Sequence, residues 1–303
     1  MATTVITSVA PATRGRVHQD SVLLPIAGPR RRAGWTPAAI AGLAILLMLG
    51  IAAAAGPLLW TVNPNTQDLL ARLAPPWGMG GSAAHPLGTD TLGRDTLARL
   101  IAGARVSLPL AIGTTTAAAA IGVTLGVIGG YRQGWSDRFV TWLCDVQLVV
   151  PFVVFAIAVT TIVGPGIRNV AITLIATGWV TYTRVLRLQT HALRRAEWME
   201  AARASGCGPG RLMTRHLLPN LVAPIVILAT QQAGAMILYE SSLTFLGLGV
   251  GGDVVTWGGM AALGREAIFS APWVAALPGV VIAMAILGFQ LVGDWLAARE
   301  RRR

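Results

Sequence analysis

The sequence predicts an all-α polytopic membrane protein of six transmembrane helices with both termini cytoplasmic. Three observations carry that reading: 54% of the 303 residues are hydrophobic while only 12% are charged, six apolar stretches approach the length of a bilayer crossing, and the arginines between them are unevenly distributed. Such a composition does not describe a soluble domain around one core. A crossing helix needs about 20 mostly apolar residues, because lipid offers the backbone no hydrogen-bond partners.

In chain order the stretches cover residues 38–60, 106–130, 139–163, 169–188, 217–246 and 273–296, the fourth being the shortest and the fifth the longest. Residues 1–36 are rich in Pro, Arg, Gly and Ala without helical periodicity and read as a loose cytoplasmic tail. The first span, 37–60, starts late and exceeds the roughly 7 to 15 apolar residues of a signal peptide, so it is expected to stay as a helix. An extracytoplasmic loop fills 61–105. A five-helix core follows over 106–298, interrupted by a cytoplasmic loop at 189–217, and a basic tail closes the chain at 299–303.

Orientation follows from arginine. With the N-terminus inside, 18 of the 24 basic residues lie on the inner side: five in the tail, Arg132 and Arg138, seven from Arg184 to Arg215, and four after residue 298. The outer side holds Arg72, Arg94, Arg99, Arg105, Arg168 and Arg265. Basic residues accumulate in cytoplasmic loops, so the net charge of +11 reflects topology and calls for no nucleic-acid partner.

All 24 basic residues are arginine. Without lysine there is no phosphate-binding loop of the G-x-x-x-x-G-K-[ST] type and no Schiff-base nucleophile, and neither H-E-x-x-H nor G-x-S-x-G occurs. No catalytic or cofactor-binding residue is therefore assigned. His18, His85, His191 and His216 show no ligand spacing, which leaves no metal site. Cys144 and Cys207 fall on the lipid or reducing side and are expected as free thiols.

Within the spans, Gly122, Gly126 and Gly130 share one helix face and are assigned to close helix packing. Pro109, Pro151, Pro224 and Pro278 are candidate bends. Asp145, Glu240 and Asp294 need a partner or a wet cavity at membrane depth; Asp294 lies near the inner face, and Arg132 or Arg138 is the expected partner of Asp145. Gln232, Met236 and Glu240 recur at fourfold spacing, giving a partly polar stripe next to Gln231. It suits either a hydrophilic translocation path lined by Gln231, Gln232 and Glu240 or interhelical hydrogen bonding. A secondary transporter or channel working through Asp145 or Glu240 fits the same residues.

The loop between spans four and five has its own pattern. Residues 192–204 are good helix formers, with Glu197 and Glu200 spaced to pair with Arg194 or Arg203. Ser205-Gly206-Cys207-Gly208-Pro209-Gly210 ends that helix, and 211–217 starts a second short one before Pro219.

Glu200-Ala201-Ala202, Gly206 and Leu218-Pro219 resemble the E-A-A-x-x-x-G…I-x-L-P loop of the membrane subunits of bacterial ATP-binding-cassette (ABC) importers, with His216 in place of the Ile. Arg215-His216-Leu217-Leu218-Pro219-Asn220 resembles the peptide-importer branch. His85-Pro86-Leu87-Gly88-Thr89-Asp90 with Leu92-Gly93-Arg94-Asp95, and Glu240-Ser241-Ser242-Leu243-Thr244-Phe245-Leu246-Gly247-Leu248-Gly249, are similar to signatures of the C-type permease of dipeptide, oligopeptide and nickel importers; Pro272-Trp273 and Gly293-Asp294 agree with its last span. The likeness covers residues 35–298. It implies the type I ABC importer permease fold in the bacterial inner (cytoplasmic) membrane and peptides as cargo, with nickel chelates, glutathione and haem in the wider branch. It also implies a second, B-type permease, two ATPase subunits that bind Mg-ATP, and an extracytoplasmic substrate-binding protein. Glu197, Glu200, Ala201, Ala202, Gly206, Leu218 and Pro219 would form the coupling loop that docks on an ATPase.

Overall fold

The computed structural model describes residues 35–251 and 253–301, and these are helical without a single strand. The expected N-terminal tail lies outside the described residues except for Trp35 and Thr36, as do the last two arginines of the basic tail.

Helix α1 (Pro37–Leu59) starts where Thr36 Oγ1 accepts from the Ala39 amide at 3.2 Å and Pro37 fixes the first helical φ. Helix α2 (Thr96–Arg132) begins well before the expected residue 106, because Asp95 Oδ1 caps it by accepting from the Ala98 amide at 2.7 Å. Its 37 residues span about 55 Å, more than the ~30 Å of hydrocarbon, so the helix is longer than a crossing requires.

The expected single span 139–163 is broken. Helix α3 (Trp135–Val149) and helix α4 (Phe152–Val163) meet at 88°. Pro151 has no amide for the Gln147 carbonyl, so the ladder stops there.

Helix α5 (Ile167–Arg194) lies at the centre, with Val170, Leu174, Tyr182 and Leu186 sealed from solvent along with Thr173, Thr183 and Thr190. It runs against α2 along the three glycines. A Cβ at Gly122 would stand 2.5 Å from the Trp179 carbonyl, and one at Gly130 2.7 Å from that of Arg187. The close approach lets Thr183 Oγ1 donate to the Gly122 carbonyl at 3.2 Å.

After α5 come α6 (Glu197–Ala204), α7 (Pro209–Arg211), a π-helical turn at Leu212–Leu217, α8 (Leu218–Phe245), α9 (Trp257–Gly264) and α10 (Trp273–Glu300). The expected stop before Pro219 does not occur; Pro209–Phe245 is one continuous helix. The wider turn shifts the bonding, with the Leu218 amide reaching the Met213 carbonyl. The Asn220 side-chain amide takes the His216 carbonyl at 2.6 Å.

Four helices among the described residues are long and apolar enough to cross a membrane: α1, α2, Pro209–Phe245 and α10. The bent pair α3–α4 makes a fifth. Helix α5, which holds the expected fourth span, is long enough but carries Arg168, Arg184, Arg187 and Arg194. Its neighbours seal Asn169, Thr173, Thr183 and Thr190, while Arg168, Thr181 and Arg184 are exposed.

Candidate functional site

The loop segment forms a small shelf built from its apolar side outward. Met199 is sealed, and Ala202 and Cys207 pack with Leu193, Leu212 and Leu217 against the main core. That anchoring leaves Glu197, Trp198, Glu200, Ala201 and Arg203 exposed on the other face of α6. Leu218 is half-buried and Pro219 exposed at the start of α8.

The helix expected over 192–204 is interrupted. The Arg195 and Ala196 amides bond to Ala192 and Leu193, tightening the end of α5, and Ala196 is extended. Helix propensity favours continuity there, yet the break is what turns Met199 into the core. Among the described residues Glu197 and Glu200 make no ion pair with Arg194 or Arg203, contrary to expectation; the Arg194 guanidinium lies over the Tyr131 ring at 5.7 Å.

Gly206 has a physical reason to be glycine. The Gly206 amide bonds to the Arg203 carbonyl at 3.0 Å and the Cys207 amide to that of Ala202 at 3.3 Å, the paired bonds of a Schellman end. Its φ is +81°, and nothing stands within 4 Å of a Cβ added there. Backbone handedness, not lack of space, selects the residue.

The segment 85–95 ties the end of α1 to the starts of α2 and α10. Asp95 accepts from Trp60 Nε1 at 3.0 Å and meets His85 Nδ1 at 2.9 Å. Asp90 takes Arg94 Nε at 2.7 Å and the Leu92 and Arg94 amides, with Arg99 Nε at 3.5 Å. Trp273 Nε1 donates to the Thr89 carbonyl at 3.4 Å, bringing in α10.

The residues expected to line a path separate. Glu240 is 2% exposed; its carboxylate accepts from Thr244 Oγ1 at 3.0 Å, Ser241 Oγ at 3.4 Å and the Thr256 hydroxyl. Thr256 caps α9, and the adjoining Trp257 is sealed, donating Nε1 to the Leu100 carbonyl at 3.0 Å. Met236 packs at Gly178 in α5, and Gln231 points toward Gly293 in α10. Gln232 opens into a cleft of about 290 Å³ at the α3–α4 break, shared with Gln147, Pro151, Thr177, Thr181 and Tyr239. Sequence reasoning missed the other polar members of this cleft, although Pro151 within a span was the available signal.

Asp145 pairs with Arg184 at 2.7 Å rather than with Arg132 or Arg138, because α3 lies beside α5. A turn or two away, Asp137 binds Arg187 through two contacts, at 2.5 and 2.9 Å, with His191 at 3.3 Å. Cys144 and Cys207 are both free.

The chain is similar to known membrane permeases over most of its length. Residues 122–303 match the family model of the binding-protein-dependent transport system inner membrane component, and residues 36–76 match the N-terminal TM domain of oligopeptide transport permease C. The chain is 37% identical to the dipeptide transport system permease protein DppC of Alkalihalophilus pseudofirmus, over 85% of this chain and 83% of the relative. It is 37% identical to the glutathione transport system permease protein GsiD of Pectobacterium atrosepticum, covering 86% and 84% of the two chains. The di/tripeptide transport system permease protein DppC of Pseudomonas aeruginosa is 36% identical, covering 85% and 86%. A chain of the inward-facing MetNI methionine ABC transporter superposes with a TM-score of 0.56 at 19% identity, covering 68% of this chain and 96% of that one.

Proposed function

The chain belongs to the binding-protein-dependent transport system inner membrane components, and on that premise we propose that it is a peptide-importing ABC permease subunit driven through α6. It is an integral protein of the bacterial inner membrane. Helix α5 serves as the sixth crossing despite its arginines, with both termini in the cytoplasm. A second permease completes the path, two separate ATPase subunits bind Mg-ATP and hydrolyse it, and an extracytoplasmic binding protein delivers the peptide.

One observation carries the docking assignment: the shelf of Glu197, Glu200 and Ala201 is exposed while the opposite face of α6 is locked into the core by Met199. A load on such a shelf is transmitted to α5 and to the Pro209–Phe245 helix, because α6 hangs between them. The ATPase state then biases an inward-open and outward-open equilibrium through the contacts that differ between the two. Gln232 serves as a path residue, with Gln231 and Glu240 behind it in the wall.

A carboxylate-driven secondary transporter is the competing mechanism, and the partners of its two candidate groups weigh against it. Glu240 is held by three hydroxyls and Asp145 by an arginine. Purified components reconstituted in vesicles decide between them. ATP-dependent uptake of a labelled dipeptide that survives collapse of the proton gradient supports the importer. Uptake that needs the gradient and ignores ATP contradicts it.

A further inference from the structure

The α3–α4 break leaves polar backbone where a membrane protein ordinarily hides it. Helix α3 ends at Val149 with no capping bond, and Pro151 follows where an amide would have taken the Gln147 carbonyl. Non-helical backbone at membrane depth is tolerated when protein buries it or when it lines a wet cavity. Val150 and Pro151 are exposed on this chain and border the cleft, as the second case requires.

The polar side chains around that cleft share one chemistry, set among the apolar Leu148, Val150, Phe152 and Val180. Gln147, Thr177, Thr181, Gln232 and Tyr239 are all polar and none carries a charge. Gln147, Thr181 and Gln232 have no hydrogen-bond partner among the described residues. Thr177 donates its proton to the Thr173 carbonyl at 2.8 Å and keeps its oxygen as an acceptor. Asp145, nearby on α3, is engaged by Arg184.

We propose that this cleft is a solute-contact site reading the backbone amides of a passing peptide. The proposal rests on the importer assignment above. A peptide bond offers one N–H and one C=O. The carboxamides of Gln147 and Gln232 donate and accept to match both, and the uncapped α3 carbonyls accept further N–H groups. These partners are common to every peptide, so the site takes the main chain and is indifferent to side chains. Its lack of charge keeps the contact weak enough for release, as conduction requires.

The test uses the complete transporter in vesicles, with two labelled probes: trialanine and its depsipeptide analogue, in which esters replace the amides. Both are presented through the same binding protein, so its own preference cancels when variants are compared with wild type. With Gln232→Leu, the uptake ratio of amide to ester falls about tenfold, because the variant no longer distinguishes a donor from its absence. Thr181→Val lies on an exposed position, leaves folding intact, and lowers the ratio by a smaller factor. Gln232→Asn restores part of it. ATPase activity stimulated by the loaded binding protein stays at the wild-type level. An unchanged ratio in both Gln232→Leu and Thr181→Val, with normal wild-type import, overturns the cleft alone. Failure of wild type to import either probe overturns the importer assignment and the cleft with it.

Discussion

Two helix ends in this chain answer the same problem in opposite ways. At Ser205 the end of α6 closes on itself, with Gly206 at φ +81° letting two amides return to the last turn. At Val149 the end of α3 stays open, since the residue that would close it is a proline. A closed end makes a self-contained element whose outer face is free to meet another protein. An open end exports its carbonyls, and the bundle places them beside Gln147, Gln232 and two threonines. The first suits transmission of force and the second suits contact with a polar solute. The comparison also separates backbone from side-chain roles: Gly206 acts through its handedness, Pro151 through what it lacks.

The largest effect is expected on the closed end's outer face. Glu200→Arg places a cation where the shelf presents a carboxylate, and ATP-driven uptake should fall by roughly 30-fold or more, the scale of losing an interface hot spot. Basal ATPase activity and assembly of the complex, measured by co-purification, should persist. Preserved uptake would break the distinction between shelf and cleft.

Next is the open end. Pro151→Ala supplies the missing amide to the Gln147 carbonyl and lets the ladder continue, relieving the 88° bend. Uptake should drop about tenfold while receptor-stimulated ATPase activity holds, since loss of one well-placed hydrogen-bonding group is of that order. A loss of ATPase stimulation instead would mean that the elbow belongs to the drive and not to the path.

Smaller again is the backbone of the closed end. Gly206→Val forces a side chain into the left-handed region at a cost of roughly 1–2 kcal/mol, whereas Gly206→Asn tolerates it. Thermal denaturation in detergent should rank Val below Asn, with Asn near wild type, and uptake should follow the same order. Equal losses for Val and Asn would point to a steric contact at Gly206 made by another subunit.

The smallest effect is expected at Glu240, which belongs to neither end. Glu240→Gln should keep uptake within about twofold of wild type, since the group sits among hydroxyls in the wall, and its net contribution is that of ordinary hydrogen bonds. Slightly lower thermal stability is the expected sign.

Parts of this arrangement were legible in the sequence because they depend on local chemistry. Apolar stretches, the arginine bias and the glycine stripe at 122, 126 and 130 follow from what lipid and close packing demand of single residues. The helix-turn pattern around Gly206 was readable for the same reason. What stayed hidden depends on neighbours distant in the chain. Asp145 finds Arg184 only because α3 lies beside α5, and Thr256 reaches Glu240 only because α9 folds back on α8. Pro219 misled because a proline ordinarily ends a helix, while a π turn just before it had already shifted the bonding. The cleft was invisible for a related reason: Gln147, Thr177 and Gln232 lie on three helices, and no spacing rule links them.

The central claim, that α6 is the face met by an ATPase subunit, is tested most directly by contact. In a background of Cys144→Ser and Cys207→Ser, Ala201→Cys carries a maleimide-linked benzophenone, and the assembled complex is irradiated in vesicles. A single covalent adduct with an ATPase subunit, whose yield changes when ATP is bound, is the predicted result. Adducts with the binding protein, or with lipid alone, would contradict it.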